Sequence, residues 1–163
     1  MRPALPNALQ IIEAASKTEL ALTRELFLEY ARLSNLDLCF QHFDEELAGL
    51  PGRYAPPDGR LLLAFFRGEL AGCVALRGLD AGIGEMKRLF VRPAFRKHGL
   101  GRTLAENVIA AAKEIGYATM RLDTLRSMEA AIQLYASLGF RTIPAYYNNP
   151  SDGVVFLELN LRQ

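Results

Sequence analysis

The sequence predicts an α/β fold, an α+β mixed sheet with helices on both faces, in the order β-α-α-β-β-β-α-β-α-β-β. Three observations carry that prediction. Short apolar runs of strand length alternate with longer segments whose apolar residues recur every three to four positions. Arg67-Gly68 joins two of the runs as a tight hairpin, so part of the sheet is antiparallel. Two glycines, Gly99 and Gly101, stand where an apolar strand gives way to a long helical pattern.

The elements follow in order. Ala8 to Ala14 suits a first strand. Ser16 stands three residues before Glu19, a capping box that opens a helix with Leu22, Leu26, Tyr30 and Leu33 on one face. Asn35 to Phe43 breaks the pattern, and Asp44 to Leu50 suits a short second helix. Pro51-Gly52 and Pro56-Pro57-Asp58-Gly59 read as irregular loop. Arg60 to Phe66 and Glu69 to Leu76 form the hairpin, a turn is expected from Gly78 to Gly84, and Glu85 to Val91 is the next strand, ended by Pro93. The helix from Leu100 to Ile115 presents Leu100, Leu104, Val108, Ala111 and Ile115 on one face and closes at Gly116. Ala118 to Asp123 is a strand and Met128 to Leu138 a helix, with Ala131, Leu134, Tyr135 and Leu138 on its apolar side. Phe140 to Ile143 and Val154 to Asn160 are the last strands, with Pro144 to Gly153 looped between them.

Composition sets the bounds. The 163 residues, half of them hydrophobic, fit one domain over 1–163 with a substantial core. The formal net charge of +1 lacks any basic tail, which argues against nucleic acid and against an anionic membrane surface as partners. Cys39 and Cys73 are widely separated, with no CxxC and no neighbouring His pair, so no zinc site, other metal site or disulfide framework is expected. No apolar run reaches membrane-spanning length and the first residues do not read as a signal segment, so a cytoplasmic location is expected.

The run Arg96-Lys97-His98-Gly99-Leu100-Gly101-Arg102-Thr103 carries the chemistry. A helix start leaves its first N–H groups unpartnered and bears the positive end of the helix dipole. Glycines there admit a ligand close to the backbone, and Arg96, Lys97 and Arg102 add charge, which makes an anion site suited to a phosphate or diphosphate. A P-loop fails, because Arg96 occupies its first glycine position and Arg102 its lysine position. A dinucleotide fingerprint fails too, because Leu104 stands where its third glycine belongs. What remains is R-x-x-G-x-G.

On that pattern the chain resembles the GNAT superfamily of N-acetyltransferases, the acyl-CoA N-acyltransferase fold, whose signature joins the fourth strand to the third helix. Glu85 to Pro93 is similar to the family's fourth strand and its exit, and Leu134-Tyr135-Ala136-Ser137-Leu138-Gly139-Phe140 to its L-Y-x-x-x-G-F ending of the fourth helix. The likeness covers Arg60 to Leu161 and is loose before residue 60. It implies acetyl-CoA as cosubstrate, with the diphosphate on the backbone of Arg96, Lys97, His98, Gly99, Leu100, Gly101 and Arg102 and on the Thr103 hydroxyl. The arm of the cosubstrate would lie along Leu89, Phe90 and Val91 as an added strand. The Val91 N–H would face the thioester carbonyl, a donor of a kind worth roughly 3–4 kcal/mol elsewhere.

The resemblance also implies two catalytic residues. Glu85, eleven residues before Arg96, is the candidate base, and on a strand it shares a face with Lys87, Leu89 and Val91. An ion pair with Lys87 or Arg88 is its structural alternative. Tyr135 is the candidate acid for the leaving thiolate, with apolar packing beside Leu134 and Leu138 as the alternative. One departure stands out: many members carry an asparagine seven residues before that tyrosine, where this chain has Met128.

The acceptor implied is a primary amine, in a small or amino-acid-like molecule, attacked directly in a ternary complex. Asp37, Phe40, Gln41, His42 and Phe43, then Tyr146, Tyr147, Asn148 and Asn149, fall in the segments that line the acceptor side in such a fold, with Lys87 or Arg88 available for a carboxylate. Surface loop and edge packing explain the same residues without a substrate. A catalytically silent acyl-CoA-binding module and a peptide or protein N-acetyltransferase are the alternative readings, and a homodimer is compatible with each.

Overall fold

The computed structural model describes residues 8–34 and 42–162. Its strands are β1 (Leu9–Glu13), β2 (Arg60–Phe66), β3 (Glu69–Asp80), β4 (Ile83–Val91), β5 (Thr119–Leu125), β6 (Arg141–Ile143) and β7 (Val154–Asn160). They form one sheet in the order β1-β2-β3-β4-β5-β7-β6. The helices are α1 (Lys17–Leu33), α2 (Phe43–Ala48), α3 (Leu100–Ile115) and α4 (Glu129–Ser137). The predicted element order is the observed one.

Local chemistry explains the element ends. Ser16 Oγ accepts from the Glu19 N–H at 3.1 Å and Glu19 Oε1 accepts from the Ser16 N–H at 2.9 Å, so the capping box starts α1. Arg67 and Gly68 take φ values of 51 and 81, the pair of positive angles a two-residue hairpin needs to follow the strands' twist. The turn expected over Gly78 to Gly84 is instead confined to Ala81-Gly82, and β3 and β4 run on to pair Gly78 with Gly84. Those glycines serve packing rather than turning. A Cβ at Gly84 would lie 2.8 Å from the Tyr117 ring, and one at Gly78 2.9 Å from the Tyr117 hydroxyl.

Two cores sandwich the sheet. On one face Leu26 and Phe27 of α1 and Phe43 and Leu47 of α2 pack on Leu61, Leu63, Cys73, Ala75 and Phe90. On the other, Leu100, Leu104, Val108 and Ala112 of α3 pack on Leu62, Val74, Leu76, Met86, Met120 and Leu122, with Tyr135 of α4. Leu33, at the last turn of α1, is half-exposed rather than turned to the core.

Candidate functional site

The site begins with a defect in β4. β3 and β4 pair as Cys73 with Phe90 and then Ala75 with Lys87, so Arg88 and Leu89 together oppose one residue. Arg88 takes φ 59 at this bulge. The extra residue breaks the side-chain alternation. Glu85 and Lys87 face the α1–α2 side, whereas Leu89 and Val91 turn to the α3 side and Phe90 packs against Tyr30 at 6.0 Å. The expectation that Glu85 shares a face with Leu89 and Val91 is therefore corrected; it keeps only Lys87.

β4 and β5 are parallel neighbours paired only from Ile83–Thr119 to Glu85–Arg121. Beyond that point they part. A cavity of about 270 Å³ occupies the split, with Lys87, Leu89 and Val91 of β4 and Leu122, Asp123 and Thr124 of β5 among its walls. Tyr30, Lys87, Arg88 and Asp123 reach it from the α1–α2 face, and Met128, Leu134 and Tyr135 from the α3–α4 face, so it threads the sheet. The Arg92 N–H bonds to Ala71 of β3 at 2.8 Å. Strand alternation therefore directs the Val91 N–H away from β3, into the split.

The glycine run lies at one end. The first bond of α3 is from the Thr103 N–H to the Gly99 carbonyl at 3.1 Å, so the N–H groups of Leu100, Gly101 and Arg102 have no carbonyl within the helix. Lys97 and Gly99 both take positive φ, 74 and 75, which curls the preceding backbone into a concave N–H surface suited to an anion. Gly101 and Arg96 line the cavity itself.

The side chains of the run are differently employed. The Arg96 Nε donates to the Val91 carbonyl at 3.0 Å. His98 stacks on Phe66 at 4.6 Å. Leu100 is buried in the core. Arg102 bonds Ser137 Oγ and pairs with Glu106 at 3.5 Å. The Thr103 hydroxyl donates back to Gly99 at 3.1 Å. Lys97 is exposed. Arg92, at the exit of β4, is held by Glu25 and Glu29 of α1 at 2.9 and 2.6 Å.

Polar groups gather at the other end. Glu85, buried, accepts from Arg77 Nε at 2.8 Å and from the Tyr146 hydroxyl at 2.7 Å. Its cation is thus Arg77, not Lys87 or Arg88. Arg88 is spent on Glu46 of α2 through two bonds of 3.0 and 3.1 Å. Asp123 accepts from the Tyr147 hydroxyl and from Asn149 Nδ2 at 2.9 Å, and Lys87 Nζ lies 3.8 Å from its other oxygen. Burial pulls the Lys87 ammonium below the ordinary lysine range, against the pull of Glu85 and Asp123. Burial pushes the phenols of Tyr135, Tyr146 and Tyr147 up from their ordinary value.

Of the predicted acceptor lining, Asn149 reaches the cavity, and Tyr146 and Tyr147 hold the carboxylates beside it. His42 is exposed at the start of α2, 3.9 Å from Glu45. Phe43 lies in the core under Arg88. Asp37, Phe40 and Gln41 lie outside the described residues. Met128 lines the cavity, its sulfur accepting from Thr124 Oγ1 at 3.6 Å. Sequence reasoning missed Asp123 and Arg77. The signal for both was a charge inside an apolar strand pattern, which a soluble core tolerates only when paired.

Comparison with known proteins agrees with this geometry. Residues 20–140 match the family model described as acetyltransferase (GNAT) family. An N-acetyltransferase of Schizosaccharomyces pombe is 38% identical over 96% of this chain and 97% of its own. A GNAT-family acetyltransferase from Staphylococcus aureus superposes with a TM-score of 0.78 at 24% identity, covering 95% of this chain and all of that one. A Salmonella typhimurium acetyltransferase solved with its cofactor acetyl-CoA gives 0.67 at 24% identity, over 95% of each chain.

Proposed function

The chain belongs to the GNAT family of acetyltransferases, and from that premise we propose that it moves the acetyl group of acetyl-CoA to a primary amine of a small, amino-acid-like molecule in a ternary complex. The observation that carries the reading is the cavity through the β4–β5 split, with an anion-binding helix start at one end and buried polar groups at the other.

The residues fit the donor. The N–H groups at the start of α3 suit its diphosphate, and the unpaired edge of β4 suits its arm. Bound there, acetyl-CoA supplies an activated acyl carbon. The amine nitrogen forms the new bond to that carbon while the carbon–sulfur bond breaks, and the Val91 N–H stabilises charge on the carbonyl oxygen. Tyr135, which lines the cavity and is protonated at neutral pH as phenols are, gives its proton to the departing sulfur and regains one after product leaves. The amine must shed a proton, at about 4–5 kcal/mol for a lysine-like amine at pH 7. Glu85 takes it through the Tyr146 hydroxyl or water, because its own oxygens are already hydrogen-bonded.

Release of free thiol from acetyl-CoA across a panel of amines tests the reading. Acetyl-CoA at about a hundred times its Kd should also stabilise the fold by roughly 2.7 kcal/mol. Binding without thiol release from any amine would make the chain a silent acyl-CoA-binding module. No thermal shift with acetyl-CoA or CoA would sink both readings.

A further inference from the structure

Among the described residues, Lys87 is the cation at the acceptor end that meets no carboxylate at hydrogen-bond distance, and the Tyr147 ring lies 5.9 Å from its ammonium. Arg77, Arg88 and Arg121 each meet a carboxylate at hydrogen-bond distance, with Glu85 at 2.8 Å, Glu46 at 3.0 Å and Glu158 at 2.8 Å. Lys87 has a 97% buried side chain, yet its nearest carboxylate oxygen among the described residues is 3.8 Å away, too far for a hydrogen bond. Its ammonium carries three donors, and a buried donor set left unanswered is costly. The side chain lines the cavity, so the missing acceptors can come from whatever occupies that space.

The chemistry of that occupant follows. A neutral oxygen would answer the donors alone; a carboxylate answers them and adds to the charge compensation that Asp123, at 3.8 Å, gives without a hydrogen bond. Asp123, beside Lys87, has one oxygen held by Tyr147 and Asn149 and the other turned toward Lys87. The two side chains thus present one positive and one negative charge to the same cavity, the complement of an amino acid's own carboxylate and amine. Arg88 is excluded from this role by its two bonds to Glu46.

We propose that Lys87 is a specificity-determining residue that binds the carboxylate of a free amino acid whose amine is acetylated, with Asp123 facing that amine. The proposal rests on the acetyltransferase reading and names its acceptor class.

The test compares amino acids with their own carboxamides as acceptors, at saturating acetyl-CoA, by thiol release. The wild-type protein should prefer the acids by about ten- to a hundredfold in kcat/KM, the worth of a hydrogen bond to a charged group, mostly through KM. Lys87→Met should bring that ratio close to one, and Lys87→Arg should retain part of it. The thermal shift with acetyl-CoA shows that each variant is folded. Equal use of acids and amides by the wild-type protein would overturn the proposal without any variant, as would an unchanged ratio in Lys87→Met. No thiol release from any acceptor, with acetyl-CoA bound, would overturn the acetyltransferase reading itself and this proposal with it.

Discussion

Tyr135 and Gly99 carry the proposed donor chemistry as single residues. Tyr135 packs edge-on against Phe140 at 5.6 Å while its side chain lines the cavity, so Tyr135→Phe removes the proton without the ring. Turnover should fall by about a hundredfold, as for general acids elsewhere, with acetyl-CoA affinity nearly unchanged in a binding titration. Unchanged turnover would remove the phenol from the reaction. Gly99→Ala forces an L side chain into φ 75, at about 1–2 kcal/mol. Urea unfolding should show that loss, and acetyl-CoA binding should weaken with it, because the same backbone turn aims the N–H groups. Gly99 was legible in the sequence because the positive φ of this turn favours glycine. The partner of Glu85 was not: Arg77 lies across the β3–β4 ladder, and only the register of the two strands brings it within 2.8 Å.

Among elements, β4 decides most. Its bulge divides one strand between two faces, sending Lys87 to the side of α1 and α2 and Leu89 and Val91 to the side of α3. Strict alternation over Glu85 to Val91 predicts one shared face, and a bulge leaves no mark that this reading could detect. The bulge is braced by α2, where Glu46 binds Arg88 and accepts from the Tyr54 hydroxyl at 2.8 Å. Glu46→Ala would strand a buried guanidinium, so unfolding free energy should drop by about 3–5 kcal/mol in a denaturant titration. A loss below about 1 kcal/mol would mean that the bulge stands without α2.

The whole molecule should lose stability at high pH through its buried tyrosines. Burial raises the phenol pKa of Tyr54 and Tyr135 above the ordinary value near 10. As pH rises past about 10 the unfolded chain releases these protons while the native state keeps them. Stability must therefore fall, by about 1.4 kcal/mol per pH unit for each such group until the folded pKa is reached. Lys87, shifted down, acts with the opposite slope below the lysine value near 10.5, where the unfolded chain holds the extra proton, and contributes no slope above it. Urea titrations from about pH 9 to 11 should show the decline above 10. Tyr135→Phe should reduce its slope by roughly one tyrosine's share; a slope equal to that of the unsubstituted protein would refute the burial argument.

Element order, the hairpin at Arg67-Gly68, the glycine-containing start of α3 and the tyrosine of α4 could be read from the chain, because each depends on neighbours within a few residues: periodicity, capping and turn angles. Tertiary structure alone decided that β4 and β5 part after Glu85, that Glu85 answers Arg77 and Arg88 answers Glu46, and that Lys87 is left beside Asp123 in the cavity. Those pairings join residues 8 to 42 positions apart. Strand register and helix docking set them, and neither is written in any one segment.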